Sequence, residues 1–115
     1  MRWNELTDVR QLEAIDEASK QGPVLLFKHS TRCSISSAAL HRLERAWTAD
    51  DDEAHTCWFL DLIRHRDLSD AIAHRYGVQH ESPQAMVVRD GRSVWHASHF
   101  GITYDVVTGA LSPVA

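Results

Sequence analysis

Two apolar runs, "VLLF" at residues 24–27 and "HTCWFLDL" at residues 55–62, are separated by a stretch whose apolar residues recur at helical spacing. Within that stretch, from about Ser34 to Trp47, the periodic set is Ile35, Ala38, Ala39, Leu43, Ala46 and Trp47. Strand, helix and strand in this order predict a parallel pair, because parallel strands need a crossover connection and a helix is the usual one. The two runs are nearly continuous rather than alternating, which reads as strands buried on both faces. Further along, "QAMVVRDGRSVWHA" at residues 84–97 predicts an antiparallel hairpin. Its turn is Asp90-Gly91, a dipeptide that accepts positive φ.

The remaining segments fill in around these strands. Thr7 is expected to cap a first helix running to about Lys20, with Val9, Leu12 and Ile15 on one side and "QGP" closing it. The acidic run "DDDE" is expected to end the second helix. Asp67 is expected to cap a third, "LSDAIAHRY", which Gly77 ends in the left-handed conformation. A last helix from about Thr103 should bury Val106, Val107, Ala110 and Leu111. The order α, β, α, β, α, β, β, α is that of an α/β, thioredoxin-like fold, a mixed four-stranded sheet with helices on both faces, formed as one domain over residues 1–115.

Charge and hydropathy limit what such a domain touches. With 16 acidic against 12 basic residues, the formal charge of -4 argues against general affinity for nucleic acid or an anionic membrane surface. No apolar stretch approaches the roughly 18 residues that span a bilayer, and "MRWNELTDVRQLEAI" lacks the apolar core of a signal peptide. A cytoplasmic location is the expectation. Two cysteines, Cys33 and Cys57, are too few for a disulfide scaffold.

Cys33 falls in the loop between the first apolar strand and the second helix. A thiol at a helix start faces backbone N–H groups without intrahelical partners and the positive end of the dipole, both of which favour thiolate. Lys28, His29 and Arg32 add cationic character if they point toward the sulfur. The competing reading is a small buried residue at a strand end. Cys57, among Trp58, Phe59 and Leu60, reads as that kind of core residue. Ser36 stands where a Cys-x-x-Cys site carries its second thiol, so Cys33 has no partner in its own helix turn. The Ser36 hydroxyl is either a donor to the Cys33 sulfur or an ordinary helix-surface serine. Ser82-Pro83, directly before the hairpin, occupies the place of the cis-proline loop that faces the active cysteine in thioredoxin folds; a simple turn proline is the alternative.

Three blocks in this order, "KHSTRCSIS", "YGVQHESPQ" and "VWHASHFGIT", resemble the bacillithiol-system YtxJ family, the monothiol bacilliredoxins, over nearly the whole chain. The resemblance implies a thiol–disulfide oxidoreductase that removes bacillithiol from mixed disulfides on proteins, with Cys33 as nucleophile and Ser36 beside it. Bacillithiol then enters as co-substrate, S-bacillithiolated proteins are the clients, and a second small thiol, a partner redoxin or a reductase restores Cys33. The cycle needs no metal or organic cofactor. His29, Arg32, Ser34 and the backbone at Ser82 and Pro83 are implied to contact the bound thiol. Ser98, Gly101 and Thr103, at the start of the last helix, are implied to hold its malate carboxylates. One departure from the family pattern stands at Ser34, where Thr-Cys-Pro-Ile-Ser would place a proline.

Rival classes use the same residues differently. A glutaredoxin-like enzyme would attack glutathione adducts through the same Cys33. A metal-binding module would draw on His29, His80, His96, His99 and Cys33, although their spacing matches no recognised zinc pattern. A thioredoxin-like adaptor would leave Cys33 without chemistry.

Overall fold

A computed structural model of the chain describes residues 1–112. Its elements run β1 (Trp3–Glu5), α1 (Gln11–Ala18), β2 (Val24–His29), α2 (Ser34–Ala46), α3 (Ala49–Ala54), β3 (Thr56–Asp61), α4 (Arg66–Tyr76), β4 (Gln84–Arg89), β5 (Arg92–Ser98) and α5 (Tyr104–Leu111), with a 3₁₀ turn at His99–Gly101 before α5. The strands form one sheet in the order β1-β3-β2-β4-β5. β3 lies parallel to both β1 and β2. β4 runs antiparallel to β2 and to β5.

The central strand shows why the apolar run could not alternate. Val24 and Leu26 enter one core with Leu12 and Ile15 of α1 and Leu68 and Ile72 of α4. Leu25 and Phe27 enter the other with Ala39 and Leu43 of α2 and Val107 and Leu111 of α5. Successive side chains of a strand point to opposite faces, so a strand covered on both sides needs apolar residues at every position. This is the thioredoxin arrangement expected from the element order.

Five strands stand where four were expected. β1 is three residues long, mostly exposed, and bonded to the sheet on one side only. It is too short and polar to announce itself by periodicity. The buried Leu6 that follows donates its N–H to the Phe59 carbonyl at 2.8 Å and extends the pairing.

The first helix begins later than Thr7. The Gln11 side-chain carbonyl takes the backbone N–H groups of Thr7 and Asp8 at 2.7 and 3.0 Å, and Asp8 accepts from the Arg10 N–H at 2.8 Å. These bonds hold the entry as a turn, leaving Val9 outside the helix and exposed. The acidic run does not end α2, which stops at Ala46; it lies inside a separate helix. Thr48 caps a new helix, with its hydroxyl accepting from Asp51 N–H and the Asp51 carboxylate accepting from Thr48 N–H, and the carboxylates crowd the positive end of α3. Asp67 sits in the first turn of α4, whose N-cap is His65; Gly77 ends that helix at φ +65° as expected. Ile35, Ala38, Ala46 and Val106 face solvent, so the buried stripes of α2 and α5 are narrower than their apolar residues implied.

The hairpin turns at Asp90 and Gly91, both at positive φ. Its tip is tied to the end of α1: Asp90 N–H donates to the Ser19 carbonyl at 3.0 Å, and Gly91 N–H to the Ser19 hydroxyl at 2.8 Å.

Candidate active site

The parallel strands β2 and β3 end on the same side of the sheet, and the chain leaving β2 turns there into α2. Ser30 accepts the Cys33 N–H at 3.2 Å, closing a four-residue turn over Ser30–Cys33. Cys33 is the N-cap of α2, in extended backbone (φ −113°, ψ 118°), with its carbonyl accepting from Ser37 N–H at 3.0 Å. No side-chain oxygen caps this helix. The half-buried Cys33 therefore stands at a helix start whose first N–H groups have no competing side-chain cap.

Ser36 is fully buried, which removes the helix-surface reading. Its Oγ accepts from the Ser30 backbone N–H at 3.0 Å and lies 2.7 Å from Nδ1 of the buried His29. The serine thus fastens the helix start to the end of β2, with its polar atom turned to His29 and Ser30. His29 packs against the Phe59 ring at 5.6 Å, beside its register partner Asp61. Burial lowers the His29 pKa below the ordinary histidine value, while the carboxylates of Asp61 and Glu44 oppose that shift.

Of the three cations read around the thiol, two do not serve it as free charges. Lys28 shares a strand face with Val24 and Leu26, opposite to His29, and is 1% exposed. Its Nζ has no hydrogen-bond partner among the described residues, and burial pushes its pKa down to about 8 against a weaker opposing pull from Asp70. His29 is bonded to Ser36 and disfavoured as a cation. Arg32 remains, exposed in the turn, and Ser34 follows Cys33 as the exposed first residue of α2.

The Ser82–Pro83 peptide bond is cis, as expected. Lys28 is the register partner of Gln84, so the antiparallel ladder sets buried Pro83 opposite His29, at the end of β2 from which Cys33 follows. Ser98 pairs with Gln84 at the far side of β4, and the His99 N–H donates to the Pro83 carbonyl at 3.2 Å. The 3₁₀ turn containing Gly101 thereby adjoins the proline loop and packs on α2. Phe100, at its centre, is 79% exposed. Thr103 is placed differently: its hydroxyl accepts from Val106 N–H as the cap of α5 and is occupied there. The preceding Ile102 carbonyl is held by the Arg42 guanidinium at 2.8 Å, and Arg42 lies nine residues along α2 from Cys33, roughly two and a half turns.

Cys57 is 2% exposed, and burial pushes its thiol up to about 12. It is the core residue that its neighbours implied. Among the described residues, no three His, Cys, Asp or Glu side chains converge as a metal cluster would. His80 is bonded to Ser69 at 3.1 Å. What the sequence did not reveal is the His29–Ser36–Ser30 knot; a buried polar pair seven residues apart, from strand end to helix turn, has no periodic signature.

Comparison with known proteins agrees with this geometry. A solved structure described as a candidate oxidoreductase with a thioredoxin fold is 31% identical, covering 94% of this chain and 92% of its own, with a TM-score of 0.79. Fasciola hepatica thioredoxin (16% identity, 96% of each chain, TM-score 0.69) and thioredoxin f from spinach chloroplast in its short form (15%, 96% of this chain and 90% of that one, TM-score 0.68) share the fold. The family model described as monothiol bacilliredoxin BrxC matches residues 4–107, so this thioredoxin-fold chain, with one half-exposed thiol at the start of α2 and a serine in place of the second, belongs to the monothiol bacilliredoxin family.

Proposed function

We propose that the protein clears bacillithiol from protein mixed disulfides by thiol–disulfide exchange at Cys33. The observation that carries this reading is the half-exposed Cys33 at an uncapped helix start, with a buried serine three residues on. The Cys33 thiolate attacks the bacillithiol-side sulfur, the client–bacillithiol bond breaks, and the client leaves as thiolate while a Cys33–bacillithiol disulfide forms. Ser36 has no sulfur with which to displace that adduct. A second bacillithiol thiolate, or the thiolate of a partner redoxin or reductase, attacks the bacillithiol sulfur and regenerates Cys33. No metal or organic cofactor enters either step.

The adduct is proposed to rest against the backbone at Ser82 and Pro83, with Arg32 and Ser34 lining the sulfur's exposed side. Ser98 and Gly101 flank the loop as candidates for holding the malate carboxylates, with Thr103 contributing backbone rather than hydroxyl. His29 acts from below the site rather than on the ligand. Such a cycle belongs to a reducing compartment such as the cytoplasm. No helix of the described residues is long and apolar enough to cross a membrane.

The test is a release assay on one client protein carrying bacillithiol in one sample and glutathione in another. Faster release from the bacillithiol adduct supports the proposal. Equal rates, or preference for glutathione, would make the protein a glutaredoxin-like enzyme; release from neither would favour an adaptor.

A further inference from the structure

Among the described residues, three side-chain polar atoms are buried without a hydrogen-bond partner: Lys28 Nζ, Ser82 Oγ and Gln84 Oε1. All three belong to the corner where the proline loop meets the end of β2. Lys28 and Gln84 are register partners across the β2–β4 ladder and share a sheet face, and Ser82 stands two residues before Gln84, across the cis bond. Buried polar groups are almost always bonded, so each of these calls for a partner.

Gln84 opens on a cavity. A pocket of about 250 Å³ beside the proline loop is lined by Gln79, Glu81, Gln84, His96, Ala97 and Ser98. A single water takes roughly 30 Å³ of the liquid, so this space suits a group of many atoms. Gln84 is 2% exposed, and its Nε2 is spent on the Gln79 carbonyl at 3.0 Å, which leaves Oε1 as an acceptor needing a donor. Ser98 is its register partner on β5 and His96 pairs with Met86, so both stand on the face that Gln84 and Lys28 share. The buried Lys28 ammonium on that face opposes a cationic occupant. Amide, hydroxyl and imidazole groups around an unfilled acceptor match a neutral donor instead, an alcohol. Glu81, the carboxylate of the lining, lies 3.5 Å from the His99 imidazole and adds a second acceptor.

We propose that this pocket takes the sugar ring of bacillithiol, with a ring hydroxyl donating to Gln84 Oε1, which rests on the reading that the adduct lies against Ser82 and Pro83. Bacillithiol carries a hexosamine between its cysteine and its malate. Glu81 and Gln84 bracket Pro83 in the chain, and Ser98 borders both the pocket and the turn assigned to the malate carboxylates. No covalent bond changes when the ring binds. Gln84 is then a specificity residue, because glutathione has no alcohol to give and its adduct leaves the buried acceptor unfilled. A site built to bond a hydroxyl rejects the analogue that lacks it.

The test has two readouts. Release rates are measured from one client protein carrying bacillithiol or glutathione, for wild type and for Gln84→Met, which keeps the side-chain length without the acceptor. The bacillithiol-to-glutathione rate ratio should fall about tenfold in the variant, the scale of one hydrogen bond to a buried group. Loss of the Gln79 contact slows both adducts alike, and the ratio removes it. Separately, reduced bacillithiol and reduced glutathione are titrated into isotope-labelled Cys33→Ser protein and followed by NMR. Bacillithiol should shift the Gln84 side-chain amide and the Ala97 and Ser98 backbone signals, and glutathione should leave them in place. An unchanged ratio in Gln84→Met, shown to be folded by circular dichroism, would overturn the pocket and leave de-thiolation standing. Should Gln84→Met not fold, the titration decides alone: no bacillithiol shift at Gln84, or an equal one with glutathione, overturns the proposal. Bacillithiol shifts at Gln84 in a protein that releases neither adduct would keep the pocket and remove the functional reading instead.

Discussion

Leu25 and Cys57 are register partners across the β2–β3 ladder. Leu25 lies four residues before His29 on β2, so Cys57 is set back from the active end of the sheet by roughly 13 Å of strand. Cys33 lies beyond that end. A disulfide needs Cα atoms within about 7 Å, so the two cysteines cannot bridge while the sheet is intact. Mild oxidation should leave Cys57 reduced, and peptide mapping after diamide treatment should find no Cys33–Cys57 peptide.

The same burial separates the two thiols in alkylation. Iodoacetamide should modify Cys33 in native protein while Cys57, with its pKa pushed up to about 12, stays unmodified until denaturant is added. Cys57→Ala should cost about 1 kcal/mol in a urea melt, the scale of a small core truncation. Equal labelling rates would contradict the assignment of roles.

Lys28 should give the folded protein an unusual alkaline response. The folded chain holds its pKa at about 8, against 10.5 for an ordinary lysine. Below pH 8 both states carry the proton and the folded state bears the full cost of a buried charge. Between 8 and 10.5 the unfolded chain binds a proton that the folded one lacks, so the Lys28 contribution to stability rises with pH across that window. Lys28→Met should stabilise the protein at pH 7 by on the order of 2 kcal/mol, with the gain shrinking above pH 8. Urea melts at pH 7 and pH 10 measure the difference. A destabilised methionine variant at pH 7 would mean that the ammonium has a partner, such as a buried water.

Ser36→Ala removes the acceptor of the buried Ser30 N–H and leaves His29 Nδ1 without its serine. The expected loss is about 1–3 kcal/mol, read by chemical denaturation. Thr48→Ala should cost about 1 kcal/mol by opening the capping box of α3. Little change at Thr48 would show that α3 is held by its carboxylates at the helix dipole rather than by the cap.

Elements with a repeating pattern could be read from the sequence. β2, α2, α4 and the hairpin each carry several buried side chains at a strand or helix period, or a turn dipeptide with a fixed backbone demand, while β3 is legible as a run of strand-forming residues. β1 has three residues and no period, and its pairing depends on a strand more than fifty residues away. The acidic run looked like an interruption because charge hid the Thr48 cap. At the site, the position of Cys33 and the cis bond before Pro83 followed from element order. The facing of Lys28 did not, because a lysine in an apolar strand gives no sign of which face it enters. The His29–Ser36 bond likewise depends on how the Ser30–Cys33 turn brings α2 back over the end of β2.

On the proposed function, Cys33 alone takes the adduct and the reaction stops there. Intact-mass analysis of the reduced protein mixed with one equivalent of an S-bacillithiolated client tests it directly, with Cys33→Ser and Cys57→Ala run in parallel. The predicted result is one bacillithiol on Cys33, in wild type and Cys57→Ala alike, with the client thiol freed and no transfer to Cys33→Ser. Transfer to Cys33→Ser, or a Cys33–Cys57 disulfide in wild type, would rule out Cys33 as a monothiol nucleophile.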